Sequence, residues 1–218
     1  MSGLPNVEEH YGVEVVRKGI HLSSLSIPIV YYFIERSTAL AILVPLTLFV
    51  SLTDLARFYI PSLGTVYHRL FGWLLRAHER NGDRKRLNGA TWVLLSACLC
   101  VALFPKIIVI TAFSILIVSD SVAALVGRRF GRRPFLGKSL EGTTAFFLSA
   151  LLVVLATPKI DYLPSEYAIG AVAAFLGALV EAISGVVDDN LSIPLSIGAA
   201  MWGLYALMLP SINLFALR

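Results

Sequence analysis

The chain has 218 residues, of which 57% are hydrophobic and 15% charged, with a formal net charge of +4. That is too apolar for a soluble globular domain, and it leaves no room for a separate one beside a membrane-embedded part. The basic excess does not point to nucleic acid, because its placement along the chain is the sorting expected of membrane topology.

Nearly charge-free runs occur at 19–34, 37–53, 87–105, 107–127, 142–158, 167–187 and 190–217. A helix needs about 20 mostly apolar residues to cross the hydrocarbon layer. The runs therefore predict an all-α, polytopic integral membrane protein of about seven transmembrane helices, read as one membrane-embedded domain over 1–218. With the N-terminus inside, all Lys and Arg except Arg36, Lys106, Lys159 and Arg218 fall in inside segments. Basic residues collect in cytoplasmic loops, so the expected topology is N-in and C-out, in the cytoplasmic (inner) membrane. The first 18 residues are charged and carry no signal-peptide core, so no cleaved targeting segment is expected.

Before the first run, Glu14, Arg17, Lys18 and His21 follow i, i+3, i+4, i+7 spacing and share one helical face. Spacing alone favours a solvated stripe with topology charges over a polar face turned into the bundle. The second run ends at Asp54. Beyond it, Pro61 and Gly64 are expected to break the chain. Tyr67, Leu70, Phe71, Leu74 and Leu75 then line one helical face opposite Arg69, Arg76 and Arg80, with Trp73 at headgroup depth. This predicts an amphipathic helix lying in the cytoplasmic interface. Arg84, Lys85 and Arg86 read as topology charge. Cys98 and Cys100 fall inside a span with no His or acid nearby, which suggests neither a disulfide nor a metal site.

The densest signal is 119–143, SDSVAALVGRRFGRRPFLGKSLEGT. Asp120 is an acid at membrane depth, where charge is costly and usually faces a polar cavity. Asp120, Ala124, Gly127 and Gly131 lie on one face, and small residues there let a backbone or a phosphate come close. Arg128, Arg129, Arg132, Arg133, Lys138, Ser139, Glu141, Gly142 and Thr143 follow. A positive-inside loop with Ser139 and Glu141 as helix-start chemistry explains the arginines, but not the adjacent intramembrane acid. Together the parts favour a site for a metal-bound phosphate. Farther on, Glu181 lies in the sixth run, and Asp188, Asp189 and Asn190 end it. That trio suits a hard cation such as Mg²⁺, or equally a helix cap and turn before Pro194. The expected topology puts these residues on the same membrane face as Lys138, Arg128, His21 and Arg80, and that convergence argues for an active site.

The run from Asp120 to Thr143 resembles the hallmark of the CTP-dependent polyprenol kinase family, which includes dolichol, phytol and farnesol kinases and eukaryotic-type diacylglycerol kinases. Glu14-x-x-Arg17-Lys18-x-x-His21, Arg76-x-x-Glu79 with Leu87-Asn88-Gly89-Ala90, and Glu181 with Asp188-Asp189-Asn190 and Pro194 also match, in order. The compact length looks closest to the phytol or farnesol kinase branch. The resemblance implies transfer of the terminal phosphate of a nucleoside triphosphate, usually CTP, to the hydroxyl of a membrane lipid alcohol at the cytoplasmic interface, with Mg²⁺ as cofactor. It makes Asp120, Lys138 and Glu141 the catalytic candidates. Arg128, Arg132, Gly127, Gly131, Ser139, Gly142, Lys18 and His21 are candidates for nucleotide and phosphate contacts. Asp120, Glu181, Asp188, Asp189 and Asn190 are candidates for the metal. No Walker or protein-kinase motif is present.

The nearest alternative is a phosphatidate cytidylyltransferase, which uses a similar glycine-basic-Lys-Ser/Thr-x-Glu-Gly segment to transfer CMP from CTP to phosphatidate. Against it, 190–218 contains no acid, whereas that family carries a C-terminal basic, His-Gly-Gly and Asp block. A transporter or scramblase ranks third, since the polar groups gather at one face and no repeat is evident. Small faces at Gly127/Gly131 and Gly170/Ala174/Gly177 suit helix packing within one chain or in a homo-oligomer.

Overall fold

The computed structural model describes residues 7–71, 87–184 and 187–216, and these are overwhelmingly helical. The amphipathic stretch enters it only as far as Phe71. Trp73, Leu74, Leu75, Arg76, Glu79, Arg80 and the basic trio at 84–86 lie outside the described residues.

The helices are α1 (Val7–Ser23), α2 (Ser26–Phe33), α3 (Arg36–Ala56), α4 (Pro61–Phe71), α5 (Gly89–Leu103) and α6 (Lys106–Phe130). A hairpin follows, β1 (Pro134–Phe135) and β2 (Lys138–Ser139), then α7 (Leu140–Ala156), α8 (Pro164–Ile183) and α9 (Asp189–Met208). Among the described residues, α3, α6, α8 and α9 are long and apolar enough to cross a membrane. Helices α5 and α7 are apolar but shorter, at 15 and 17 residues.

The first expected span is not one helix. It breaks after Ser23, and the chain turns with Ser24 N donating to His21 O and Leu25 N to Leu22 O. Pro28 supplies the reason, because it has no N–H for the carbonyl of Ser24 and its ring crowds that turn. The expected break does fall before Pro61, which opens α4, where a missing N–H costs nothing, but Gly64 makes none, because it lies inside that helix against the Arg57 carbonyl, where a Cβ would come within 3.0 Å.

Helix α6 is the axis of the fold. Every residue from Ile107 to Ile117 is buried, with α1, α2, α7 and α9 packed around it. Helix α8 leans on α7 and α9, while α3 reaches the bundle through α5. In lipid, helices gain little from hiding apolar surface from one another and associate by close packing and polar contacts. Both devices are present. A Cβ at Gly170 would lie 2.5 Å from Val154, and one at Gly177 would lie 2.7 Å from Ile197, so the α8 small face is filled by α7 and α9. Thr47 Oγ1 donates to Leu94 O (3.3 Å) and lies 3.1 Å from Cys98 Sγ, joining α3 to α5. Both cysteines are free thiols.

At the end of the bundle away from the hairpin, Glu166 is fully buried. It accepts from Ile160 N, Asp161 N, Leu163 N and Tyr205 Oη at 2.9–3.0 Å. One carboxylate thereby organises the α7–α8 loop against α9.

Candidate active site

Helix α1 lies against α6 with its polar face inward. Glu14 is 1% exposed and Lys18 4% exposed, so the solvated-stripe reading is overturned. Lys18 Nζ donates to Asp120 Oδ2, and His21 Nε2 lies 3.7 Å from the same oxygen. Glu14 takes Arg17 on Oε1 (2.5 Å) and Arg128 on Oε2 (3.0 Å). The i, i+3, i+4, i+7 spacing thus presents Glu14 to Arg128 of α6, and Lys18 with His21 to Asp120 of α6. An uncompensated charge in this buried setting would cost several kcal/mol, which is what holds the pairing in place.

The glycines carry the next element. A Cβ at Gly142 would sit 3.1 Å from the Ala123 carbonyl and 3.3 Å from Gly127 Cα, so α6 and α7 meet there backbone to backbone. Gly131 is tighter still, with a Cβ falling 2.3 Å from Gly127 O and 2.8 Å from Ser139 Oγ. Ser139 caps α7 by accepting from Gly142 N (3.2 Å). Glu141 Oε2 accepts from the backbone N–H of Arg132 (3.1 Å) and Arg133 (3.3 Å), folding the hairpin back over the end of α6. Gly137 N donates to Ala182 O (2.9 Å), which docks the hairpin on the end of α8.

That docking delivers Lys138. Its Nζ lies 2.6 Å from Glu181 Oε1 and 3.7 Å from Asp189 Oδ2. Burial alone would lower the pKa of this ammonium. Glu181 first, then Asp189 and Asp120, outweigh the burial and hold it above the usual lysine value. The contribution from Asp120 shows that the α1–α6 pair and the hairpin–α8–α9 group share one electrostatic site. Two buried carboxylate oxygens there, Glu181 Oε2 and Asp189 Oδ1, have no hydrogen-bond partner among the described residues.

Asp188 Oδ1 accepts from Asn190 N (3.0 Å) and Asn190 Nδ2 (2.8 Å), capping α9. Of the trio, Asp189 is the member that turns to Lys138. Among the described residues, no three His, Cys, Asp or Glu side chains are grouped closely enough to hold a metal by themselves.

The structure therefore brings together Lys18, His21, Asp120, Lys138, Glu181 and Asp189. It places Arg128 on Glu14, and Gly127, Gly131, Ser139 and Gly142 in the packing that supports them. Arg132 is exposed, with its guanidinium in no salt bridge among the described residues. Glu14 belongs to this site too, and its shared helical face with Lys18 and His21 is the sequence signal for it.

A second buried polar group went unread. Asp54 accepts from Asn88 N (2.7 Å) and Thr91 Oγ1 (3.0 Å) and pairs with Arg57 (2.7 Å). Asn88 also caps α5, and a Cβ on Gly89 would meet Asn190 Nδ2 at 3.7 Å. The start of α5 thus borders the site. The acid at the end of the second span was the signal for it.

Comparison with known proteins gives 34% identity over 191 residues to uncharacterized protein RP860 of Rickettsia prowazekii, covering 86% of this chain and 93% of that protein. The CTP-dependent diacylglycerol kinase 1 of Schizosaccharomyces pombe is 28% identical over 155 residues, covering 65% of this chain and 69% of that protein. Its namesake in Saccharomyces cerevisiae is 26% identical over 207 residues, covering 83% and 70%. No protein-family model matches the chain. No solved structure matches it.

Proposed function

We propose, from the premise that this chain belongs to the same family as the Rickettsia prowazekii protein and is a distant homologue of the fungal CTP-dependent diacylglycerol kinases, that it is a membrane lipid kinase using CTP. The observation that carries the reading is Lys138. It is a charged lysine pinned between a buried acid, Glu181, and a partly buried one, Asp189, next to a second acid–lysine pair, at the end of membrane-length helices.

Phosphoryl transfer needs little covalent help from a protein. It needs the phosphates positioned and their charge neutralised. Lys138 and Lys18 meet the phosphates, with Arg128 and Arg132 at the outer edge. The lipid oxygen attacks the terminal phosphorus, the bond from that phosphorus to the bridging oxygen breaks, and the nucleoside diphosphate leaves with those electrons. Asp120 takes the hydroxyl proton. Three helix starts, those of α5, α7 and α9, add backbone N–H groups and favourable dipoles at this end.

Mg²⁺ fits the donor set. The oxygens of Glu181 and Asp189 that have no hydrogen-bond partner among the described residues are hard ligands, and Mg²⁺ is commonly held by one or two carboxylates together with the substrate phosphates. When bound it would neutralise phosphate charge. Asp188 and Asn190, occupied with each other, support α9 instead.

Diacylglycerol is the first acceptor to test, because the fungal relatives are named for it, and isoprenoid alcohols are the second. The site faces the cytoplasm in this reading, as the distribution of Lys and Arg supports. Cytidylyl transfer is the second reading, and the absence of any acid in 190–218 weighs against it.

The decisive experiment supplies the purified protein with Mg²⁺, a lipid-alcohol panel and phosphatidate, and CTP labelled at either the alpha or the gamma phosphate. Gamma label in lipid establishes the kinase, and the best acceptor names the substrate. Alpha label in lipid with pyrophosphate release overturns it in favour of cytidylyl transfer. No transfer of either label from CTP, ATP or UTP, with Asp120→Asn identical to the parent, overturns both.

A further inference from the structure

The hairpin between α6 and α7 does more than deliver Lys138. It stands where two membrane-length helices end, α6 at Phe130 and α8 at Ile183, so geometry places it at a membrane–water boundary. Its tip is Leu136, a bulky residue held at φ 52° in the left-handed region that favours glycine, and 63% exposed. A strained residue persists when its surroundings hold it there and its placement has a use. Gly137 sits on Ala182 through its N–H, so Leu136 and Ile183, chain neighbours of that contact, flank it. Ile183 is 63% exposed, and Phe130 at the hairpin's entrance is 57% exposed.

Around this apolar tip stand Arg129, Arg132 and Arg133, all exposed. None of the three takes part in a salt bridge among the described residues. Arg129 lies over the rings of Tyr11 and Phe130. The carboxylate seated in the hairpin, Glu141, accepts from the backbone N–H groups of Arg132 and Arg133 and offsets part of the Arg133 charge, while Arg129 and Arg132 form no salt bridge among the described residues.

An apolar tip beside exposed arginines that form no salt bridge among the described residues matches an acidic lipid surface, which attracts Lys and Arg placed near its headgroups. We infer that the hairpin is an anchor: Leu136, Ile183 and Phe130 enter the leaflet while Arg129, Arg132 and Arg133 bind anionic phospholipid headgroups. The anchor fixes the depth of the segment that carries Lys138. The inference rests on the membrane embedding and not on the proposed reaction.

The test is a spin label on Leu136→Cys, with the protein in nanodiscs of phosphatidylcholine alone or with phosphatidylglycerol. Relative collision rates with oxygen and with a water-soluble nickel chelate read the depth of the label. No nucleotide or lipid alcohol is added, so failure here is separate from failure of the kinase reading. Cys98 and Cys100, partly and fully buried, are poor competitors for the label, and Phe130→Cys is the second site if the first variant does not fold. The expected result is a label below the headgroup phosphates, deeper with phosphatidylglycerol, with that difference abolished by Arg132→Gln/Arg133→Gln. A label in water under both lipids overturns the anchor. Equal depth in the two compositions, or a difference that survives loss of the arginines, overturns anionic phospholipid as the occupant.

Discussion

Lys138 and Glu14 illustrate two uses of a buried charge. Lys138 is held above the ordinary lysine pKa of 10.5 by the acids around it. The sign follows directly: stabilisation by its ion pairs is complete below 10.5 and fades only as pH climbs through the raised value. The parent protein should therefore lose no stability through Lys138 as pH rises from about 7 to about 10, and thermal unfolding in detergent measures it. The activity of Lys138→Met should fall by about 100-fold or more, as for removal of a positioned charge from developing phosphate charge. Glu14 is structural in a different sense, since it neutralises Arg17 and Arg128 together. Glu14→Gln leaves two cations facing one another. Because Arg128 is about half exposed, the cost should be about 2 kcal/mol and not the full buried-pair penalty. A fall in Tm of about 5 °C is the expected readout.

At the level of elements, the α6–α7 contact sets the site. Its glycines are where another backbone must pass, so Gly142→Ala forces the Ala123 carbonyl and Gly127 Cα away from contacts of 3.1 and 3.3 Å. Overpacking of this kind costs about 1–3 kcal/mol. It also displaces Ser139 and Glu141, so activity should fall with Tm. Gly203, on α9, is the control, because a Cβ there meets nothing within 4 Å and Gly203→Ala should leave Tm unchanged or raise it slightly. Equal losses from the two variants would show that the glycines at the helix contact are not special.

At the scale of the whole molecule, the two ends of the bundle carry different sets of buried charge. Lys18, Asp120, Lys138, Glu181 and Asp189 gather at the hairpin end. Lys159, at the opposite end, is held by Val154 O (2.6 Å) and Thr157 O (2.7 Å), where it ties the α7–α8 loop. A sidedness assay tests the orientation. With N-in and C-out topology, a cysteine at Arg133 should react with an impermeant reagent only from the inside, and one at Asp161 only from the outside. The reverse pattern would place the site on the outer face.

The α-helical character with membrane-length apolar helices, and the gathering of polar residues at one end of the bundle, were legible in the chain, because apolar runs and helical spacing are local properties. So was the shared face of Glu14, Arg17, Lys18 and His21, but not its direction. Whether that stripe faces water or protein depends on what stands opposite, and Asp120 and Arg128 lie about a hundred residues away. The roles of Asp188, Asp189 and Asn190 separated for the same reason, since only the docked hairpin decides which of three adjacent side chains meets Lys138. Sequence by itself determined which groups must avoid lipid. Tertiary structure decided which partner each one found, because a buried charge is set by its three-dimensional neighbours and not by its place in the chain.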